Sequence, residues 1–123
     1  MANRFVWVDI PVSNLDRAIK FYSDVLGMPV TLQDTPGFKF AVFPHDGPDV
    51  GGCLVPQGDG NAPSGNGPLI YINVDGRMKE GMQAAKSNGA RVIEEPHSIG
   101  PHGFRAVIID SEGNRIALHS MKA

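Results

Sequence analysis

The sequence has little cysteine, little net charge and no long apolar run. Its single cysteine, Cys53, has no partner for an internal disulfide, which is typical of proteins from a reducing compartment. The net charge of -2 and the pI near 6.0 provide no basic field that would attract nucleic acid. No apolar run approaches the roughly 18 residues of a membrane helix, and no signal-peptide pattern is present. We therefore expect a cytoplasmic protein that binds neither nucleic acid nor membrane.

Residues 6–30 predict a strand, followed by a capped helix that ends at a glycine, which we call the glycine exit. The strand alternates between an aliphatic face and a mixed face, and the mixed face consists of Phe5, Trp7, Asp9 and Pro11. Ser13 or Asn14 can cap a helix that begins at Leu15 and ends before Gly27. We expect the aliphatic face of the strand to pack against the apolar stripe of this helix, which leaves the mixed face free.

The same pattern recurs 62 residues later in the chain. An alternating strand ends at Val74, Asp75 can cap a weaker helix, and Gly89 ends that helix. Val12 precedes Gly27 by 15 positions, and Val74 precedes Gly89 by the same 15 positions. The strand phase, the helix length and the glycine exit all repeat together. We therefore predict one supersecondary unit that is used twice.

Three further strands follow each predicted helix, so each half reads as a βαβββ module. These strands are predicted at 29–33, 38–43 and 50–55 in the first half, and at 91–95, 104–110 and 115–119 in the second. Two adjacent glycines, Gly51 and Gly52, lie in one of them. They indicate either a close approach by another backbone or a ligand, or simply a weak strand.

The whole chain, residues 1–123, is predicted to be a single α+β domain. Its modules span 5–55 and 69–120, and their eight strands can form one curved sheet or half-barrel with the helices outside. The linker at 56–68 is rich in Gly, Pro, Asn and Ser, and two interpretations stay open: a flap over a site or a plain connector. A chain of this length buries roughly two thirds of its unfolded surface, which is enough for a core without disulfides.

Two segments carry a more specific signal. Residues 7–27 contain WVDIPV, DRA, FY and LG at fixed spacings, and residues 110–118 read DSEGNRIAL. Together these segments resemble the vicinal oxygen chelate superfamily, which includes glyoxalase I, extradiol dioxygenases, fosfomycin resistance enzymes and bleomycin-binding resistance proteins. The resemblance covers essentially the whole chain and implies the same paired-module fold. The motifs describe a helix with its exit and a hairpin turn, so they identify a fold and not a reaction.

The resemblance also indicates where metal-using relatives carry their ligands. Placed on this sequence by strand phase, those positions are Trp7, Leu69, Cys53 or Val55, and Ala117. None of them is His, Asp or Glu, and one thiol cannot supply the three or four convergent donors that Mg, Mn, Ni or Fe needs. A substitute site at His97 and His102 would lack a third ligand. We therefore predict no metal site and no cofactor.

Without a metal, the inner face of the sheet is predicted to bind a small organic molecule. Apolar walls with a few polar groups are the usual composition of such sites. The candidate ligand-binding residues are Phe5, Trp7, Asp9, Phe38, Phe40, Cys53, Leu69, Tyr71, Asn73, Arg115, Ala117 and His119. Filling of the barrel or a subunit contact is the alternative role for the aromatic side chains. Asp9 needs a hydrogen-bond partner, water or a ligand, because burial of an unpaired carboxylate is costly.

Asp9 and His119 are the candidate catalytic residues. They could form an acid–base pair in which the carboxylate orients the imidazole, although the sequence does not show that they meet. Cys53 is a candidate nucleophile, but no neighbouring basic residue argues for a lowered pKa, and a buried cysteine is the commoner case.

The sequence favours a metal-independent binding protein, for example one that sequesters a toxic compound as bleomycin-binding proteins do. The alternative is an enzyme: a lyase or isomerase similar to glyoxalase I, or a metal-free catalyst that uses Asp9 and His119. A third interpretation is an interaction module whose sheet edges pair with a second chain. The resemblance to single-domain relatives also implies a homodimer with sites at or near the subunit contact.

Overall fold

The computed structural model describes residues 3–58 and 60–123, which form two βαβββ modules in chain order. The first module consists of β1 (Trp7–Val12), α1 (Leu15–Leu26), β2 (Thr31–Thr35), β3 (Phe38–Val42) and β4 (Gly51–Pro56). The second consists of β5 (Ile70–Asn73), α2 (Met78–Ser87), β6 (Arg91–Ser98), β7 (Phe104–Ile109) and β8 (Arg115–Ser120), with a 3₁₀ turn at Gly100–His102. The predicted α+β class and element order are confirmed, although β2 is shifted by two residues and β6 extends three residues beyond its predicted end.

Each module forms its own four-stranded sheet. The strand orders are β1-β4-β3-β2 and β5-β8-β7-β6, so the second module repeats the topology of the first. In both sheets the first and last strands of the module are parallel neighbours, and the other pairs are antiparallel. The eight strands therefore form two sheets that are not closed into a barrel. Strands β1 and β5 lie at the edges of their sheets.

Helix α1 has the predicted start and end. Asn14 caps it, because its Oδ1 accepts a hydrogen bond from the Arg17 N–H at 3.0 Å. Gly27 ends the helix with a φ of 69°, a left-handed conformation that glycine adopts without strain. Neither α1 nor α2, the two α-helices among the described residues, is long and apolar enough to cross a membrane.

Asp75 does not cap α2, so that prediction was wrong. The helix begins at Met78 after Arg77, and no side chain bonds to its N-cap. The Asp75 carboxylate instead accepts hydrogen bonds from the Met121 N–H at 2.7 Å and from Ser120 Oγ at 3.2 Å. The Met121 partner lies 46 positions away in the chain. A local sequence pattern carries no information about such a contact.

One hydrophobic core lies between the two helices and one face of each sheet. Ile10 from β1 and Phe21 and Tyr22 from α1 are each 2% exposed or less. Helix α2 approaches α1 closely at Gly81, where an added Cβ would lie 3.4 Å from the Val25 carbonyl oxygen. Because each module has one aliphatic sheet face and one helix stripe, the two modules bury these surfaces together.

The turn between β7 and β8 joins the second module to the start of α1. Glu112 lies in this turn, and its side chain is fully buried. Glu112 Oε1 accepts hydrogen bonds from the backbone N–H groups of Ser13 at 3.0 Å and Asn14 at 2.8 Å. Its Oε2 forms an ion pair with Arg17 Nε at 2.7 Å. One carboxylate therefore satisfies free N–H groups at the start of α1 and pairs with its first turn.

Two neighbours in the same turn bind other parts of the first module. The buried Tyr22 hydroxyl donates a hydrogen bond to the Asp110 carboxylate. The Asn114 side chain donates to the Pro11 carbonyl oxygen at 2.8 Å, which ties the start of β8 to β1. Burial next to the Asp110 carboxylate raises the pKa of Tyr22, so this phenol stays protonated and acts as a donor. The turn therefore fixes the position of β8 relative to β1.

We expect Glu112→Gln to destabilise the protein by about 2 to 3 kcal/mol at neutral pH, because the variant removes the charge that the Arg17 and backbone donors surround. Burial raises the pKa of Glu112, but hydrogen bonds from Arg17 and its neighbours outweigh burial and lower the pKa from 4.5 to about 2. A lowered pKa contributes stability that is present above about pH 4.5 and is lost as the pH falls toward 2. Urea unfolding at several pH values measures both effects.

The control is Glu80→Gln, which removes an exposed carboxylate from α2. We expect this variant to unfold within about 0.5 kcal/mol of the wild type. The difference between the wild type and Glu112→Gln should narrow as the pH falls from 4.5. Equal unfolding midpoints for the two variants at pH 7 would show that the Glu112 carboxylate does not stabilise the fold.

Candidate functional site

The face of each sheet that points away from the helices carries the predicted site residues, and we call it the open face. Alternation along β1 places Ile10 in the core and leaves Trp7 45% exposed on the other side. The strand registers extend this face to both sheets. Its members include Trp7, Asp9, Cys53, Val42, Phe40 and Phe38 in the first sheet, and Tyr71, Asn73, Arg115, Ala117, His119 and Arg105 in the second.

Trp7, Asp9 and Cys53 form a hydrogen-bonded group on the first sheet. The parallel register of β1 and β4 places Asp9 opposite Cys53. The Cys53 thiol donates to Asp9 Oδ1 at 3.2 Å, and the Trp7 indole N–H donates to the same oxygen at 3.0 Å. Asp9 therefore has the hydrogen-bond partners that the sequence analysis required for it. The two donors also fix the orientation of its carboxylate.

The paired glycines of β4 make room for close contacts, as one of the two interpretations of the sequence expected. An added Cβ at Gly51 would lie 2.8 Å from the Trp7 ring and 3.0 Å from the His45 ring. An added Cβ at Gly52 would lie 2.7 Å from the Val8 carbonyl oxygen. Trp7 thus lies against bare backbone, with His45 in an edge-on contact at a centroid distance of 5.9 Å.

A cavity of about 450 Å³ lies beside edge strand β1, between it, the linker and the start of β8. We call it the seam pocket. It is lined on the β1 side by Phe5, Trp7, Val8, Asp9, Ile10 and Pro11, and on the other side by Ala62, Ser64, Asn66, Pro68, Ile70, Asn114, Arg115 and Ile116. Its volume and its mixture of apolar walls with few polar groups are typical of small-molecule sites, which measure about 300 to 1,000 Å³.

The linker forms one wall of this pocket because it is bonded to β8. The Ser64 N–H donates to Asn114 Oδ1 at 3.1 Å, and the Arg115 N–H donates to the Ser64 carbonyl oxygen at 3.3 Å. The Asn66 N–H then donates to Ser64 Oγ at 3.0 Å. Sequence reasoning missed Ser64, Asn66 and Asn114 as lining residues. Asn114 lies in the predicted hairpin turn, where the sequence gives no sign of a pocket, and a linker without periodicity gives no signal for the other two.

The open face of the second sheet carries a separate polar group around Arg105. Its Nη1 donates to the Tyr71 hydroxyl at 2.6 Å, and its Nη2 lies 3.5 Å from Glu94 Oε1. The Glu94 carboxylate is also 3.6 Å from the His97 ring. Arg105 was missed in the sequence because its position on β7 became clear only from the pairing with His119 on β8.

The structure does not bring Asp9 and His119 together as a hydrogen-bonded pair among the described residues. Asp9 on the first sheet forms hydrogen bonds with Trp7 and Cys53. His119 lies on β8 of the second sheet, and its Nε2 is 2.7 Å from the His102 carbonyl oxygen in the 3₁₀ turn. Their proposed catalytic roles stay a prediction that this geometry does not support.

Only some of the predicted ligand-binding residues line the seam pocket. Phe5 and Arg115 line it together with Trp7 and Asp9. Phe38 and Phe40 stack on β3 with ring centroids 4.9 Å apart, two strands away from β1. The others do not line this pocket: Cys53 and Ala117 are buried, Leu69 is half-buried, and Tyr71, Asn73 and His119 belong to the second sheet.

The positions that would hold a metal in metal-using relatives do not fit one. Trp7, Leu69 and Ala117 offer no carboxylate or imidazole, and neither does Val55, the alternative to Cys53, which is itself 4% exposed. Burial and the neighbouring Asp9 raise the pKa of the Cys53 thiol to about 11, so it stays protonated. Across residues 3–58 and 60–123, no three His, Cys, Asp or Glu side chains converge as a metal site.

Comparison with known proteins gives one consistent family. The sequence profile of the Glyoxalase/Bleomycin resistance protein/Dioxygenase superfamily matches residues 4–118. The chain is 33% identical to a glyoxylase-like domain-containing protein from Didymella fabae, over 90% of this chain and 88% of that protein. It is also 30% identical to the putative glyoxylase CFP32 from Mycobacterium bovis, over 88% of this chain but only 40% of that protein.

Solved structures with a similar fold come from the same superfamily. A glyoxalase/bleomycin resistance protein from Albidiferax ferrireducens superposes with a TM-score of 0.76 over 96% of this chain and 98% of that one. The two sequences are 22% identical, so this likeness shows a shared fold and carries no information about the ligand.

We expect Cys53 to be unreactive in the folded protein, which argues against its role as a nucleophile. At pH 8 a thiol with a pKa of about 11 has a thiolate fraction at least about a hundredfold lower than that of an ordinary thiol, and burial slows attack further. Alkylation by iodoacetamide at pH 8, followed by intact mass, should be correspondingly slow. The chain unfolded in urea is the control and should react at the rate of a free thiol. Rapid alkylation of the folded protein would contradict the hydrogen-bonded, protonated state.

Proposed function

The chain belongs to the Glyoxalase/Bleomycin resistance protein/Dioxygenase superfamily, and we propose that it is a metal-independent member that binds a small organic molecule in the seam pocket. The observation that carries this proposal is the pocket itself: about 450 Å³, bounded by apolar walls, with Trp7 and the oriented Asp9 carboxylate on one side. The positions at which metal-using relatives carry ligands have no suitable donors here. We therefore propose that the molecule is held by direct contacts with protein side chains and not through a metal ion.

Sequestration is the form of binding that we propose. The catalytic alternative, a lyase or isomerase that uses Asp9 and His119 as an acid–base pair, needs these two side chains to meet. Asp9 and His119 have separate partners on separate sheets, and Cys53 is protonated and buried. The residues that line the seam pocket can hold and orient a molecule, but they do not form a nucleophile and base in contact. Binding without turnover is therefore the better-supported function.

We expect flat aromatic drugs to raise the melting temperature, whereas divalent metals and a chelator leave it unchanged. A ligand at 100 times its Kd stabilises by about 2.7 kcal/mol, which is several degrees for a domain of this size. The matched variants are Trp7→Ala, inside the pocket, and Leu32→Ala, a half-exposed apolar residue outside both the pocket and the open face. Trp7→Ala should lose the ligand-induced shift, and Leu32→Ala should keep it.

The same samples distinguish binding from catalysis. Sequestration predicts that the ligand is recovered unchanged and in stoichiometric amount by chromatography after a long incubation. Consumption of the ligand would contradict sequestration and support an enzyme. If Asp9→Asn no longer consumed the ligand, the Asp9 carboxylate would be the catalytic group. A melting temperature that rises with a divalent metal and falls with a chelator would overturn the metal-independent proposal.

We also propose that the protein is a homodimer in which a second copy covers the part of the open face around Phe38 and Tyr71, outside the seam pocket. Phe38 and Tyr71 are about half exposed there, at 56% and 46%, and exposed aromatic patches commonly mark interaction surfaces. Sedimentation equilibrium at micromolar concentration should give about twice the chain mass of 13.2 kDa. Phe38→Ser should weaken this association, and a wild-type mass of one chain would exclude it.

A further inference from the structure

We infer that the seam pocket selects a ligand with two charged ends: a cationic amine that binds Asp9 and a carboxylate that binds Arg115, separated by an apolar body. This inference rests on the proposed small-molecule binding in the same pocket. It adds the charge pattern of the ligand, which neither the family nor the shape of the pocket specifies. The basis is that the two charged side chains in the lining both have unused hydrogen-bonding capacity.

The Asp9 carboxylate is held by one oxygen and free at the other. Both of its donors, the Trp7 indole and the Cys53 thiol, bond to Oδ1 at 3.0 Å and 3.2 Å. Within residues 3–58 and 60–123, Oδ2 accepts no hydrogen bond and Asp9 forms no ion pair. A fixed carboxylate with one open oxygen is a good acceptor for an ammonium group, and such charge-assisted bonds are the stronger ones.

Arg115 provides the opposite charge across the pocket. It is half-buried at the start of β8, where its backbone N–H is bonded to Ser64. In the described part of the chain its guanidinium takes part in no ion pair and no side-chain hydrogen bond, and it is therefore not paired with Asp9 within 4.0 Å. A guanidinium has five donors in a planar fork that matches a carboxylate.

The surface between the two charges is apolar. The lining includes Phe5 and Trp7 on the β1 side and Pro68 and Ile70 on the other side. Phe5 and Trp7 are 81% and 45% exposed, so these side chains supply apolar contact area next to charged groups that solvent also reaches. They also favour a flat or aliphatic body over a hydrated one. A benzene ring that carries an aminomethyl group and a carboxylate at opposite ends has these properties.

The test uses four para-substituted benzenes that differ only in charge. They are 4-(aminomethyl)benzoate with both charges, 4-methylbenzoate with the negative charge, 4-methylbenzylamine with the positive charge, and neutral 4-methylbenzyl alcohol. Quenching of the single tryptophan, Trp7, measures the Kd of each compound at pH 7. We expect the doubly charged probe to bind about tenfold or more tightly than either singly charged probe, and the neutral probe to bind most weakly.

Two variants assign the ends. Asp9→Asn should abolish the advantage of 4-(aminomethyl)benzoate over 4-methylbenzoate and leave the preference for a carboxylate. Arg115→Gln should abolish its advantage over 4-methylbenzylamine and leave the preference for an amine. The matched controls, Asp34→Asn and Arg91→Gln, remove exposed charges that do not line the pocket and should change neither preference.

The outcomes separate the two levels of the proposal. Equal binding of the neutral and doubly charged probes would overturn the two-charge inference and leave small-molecule binding in place. Unchanged preferences in both Asp9→Asn and Arg115→Gln would also overturn it, because other groups would then set the selectivity. If none of the four probes binds at millimolar concentration, and the drug panel also fails to raise the melting temperature, both the inference and the proposed function fail.

Discussion

The buried Glu112 carboxylate connects the two halves of the molecule. It lies in the turn between β7 and β8, yet all of its strongest partners outside that turn belong to the start of α1: two backbone N–H groups and the Arg17 guanidinium. The cost of burying the carboxylate is offset because several donors surround the charge at once. The neighbouring Asn114 bond to the Pro11 carbonyl oxygen then sets the distance between β8 and β1. The seam pocket has walls on both sides because of this connection.

The same turn also positions the linker. Asn114 uses its amide group to hold β1 and its Oδ1 to hold Ser64, so one side chain bonds to both walls of the pocket. The linker therefore has a defined path along β8 although it has no helix or strand of its own. This arrangement explains how a segment rich in Gly, Pro, Asn and Ser can contribute to a site. Gly, Pro, Asn and Ser suit the irregular backbone conformations of a loop, and hydrogen bonds to the β7–β8 turn determine where the linker lies.

The candidate site is built around a carboxylate in a protein whose family positions for metal lack donor atoms. On the first sheet, the Trp7 indole N–H donates to Asp9 two residues later. Cys53 donates to the same oxygen from the adjacent strand. The group thus fixes a negatively charged acceptor at the pocket wall. A fixed carboxylate favours ligands with N–H or ammonium donors, which is a different selectivity from that of a bound metal ion.

The sequence by itself determined the secondary structure, the duplicated module and the face on which Trp7 and Asp9 lie. These features follow from alternation, helical spacing and glycine exits, which depend on neighbours a few positions apart. Only the tertiary structure decided which side chains meet: it paired Asp75 with Met121, placed His119 away from Asp9, kept Phe38 and Phe40 outside the seam pocket, and brought Ser64 and Arg115 into its wall. Asp75 and Met121 lie 46 positions apart in the chain, and Asn114 and Pro11 lie 103 apart, so these contacts depend on the relative placement of distant elements. Local periodicity carries no information about that placement, because it depends on the core that the two modules share and on long-range hydrogen bonds from the β7–β8 turn.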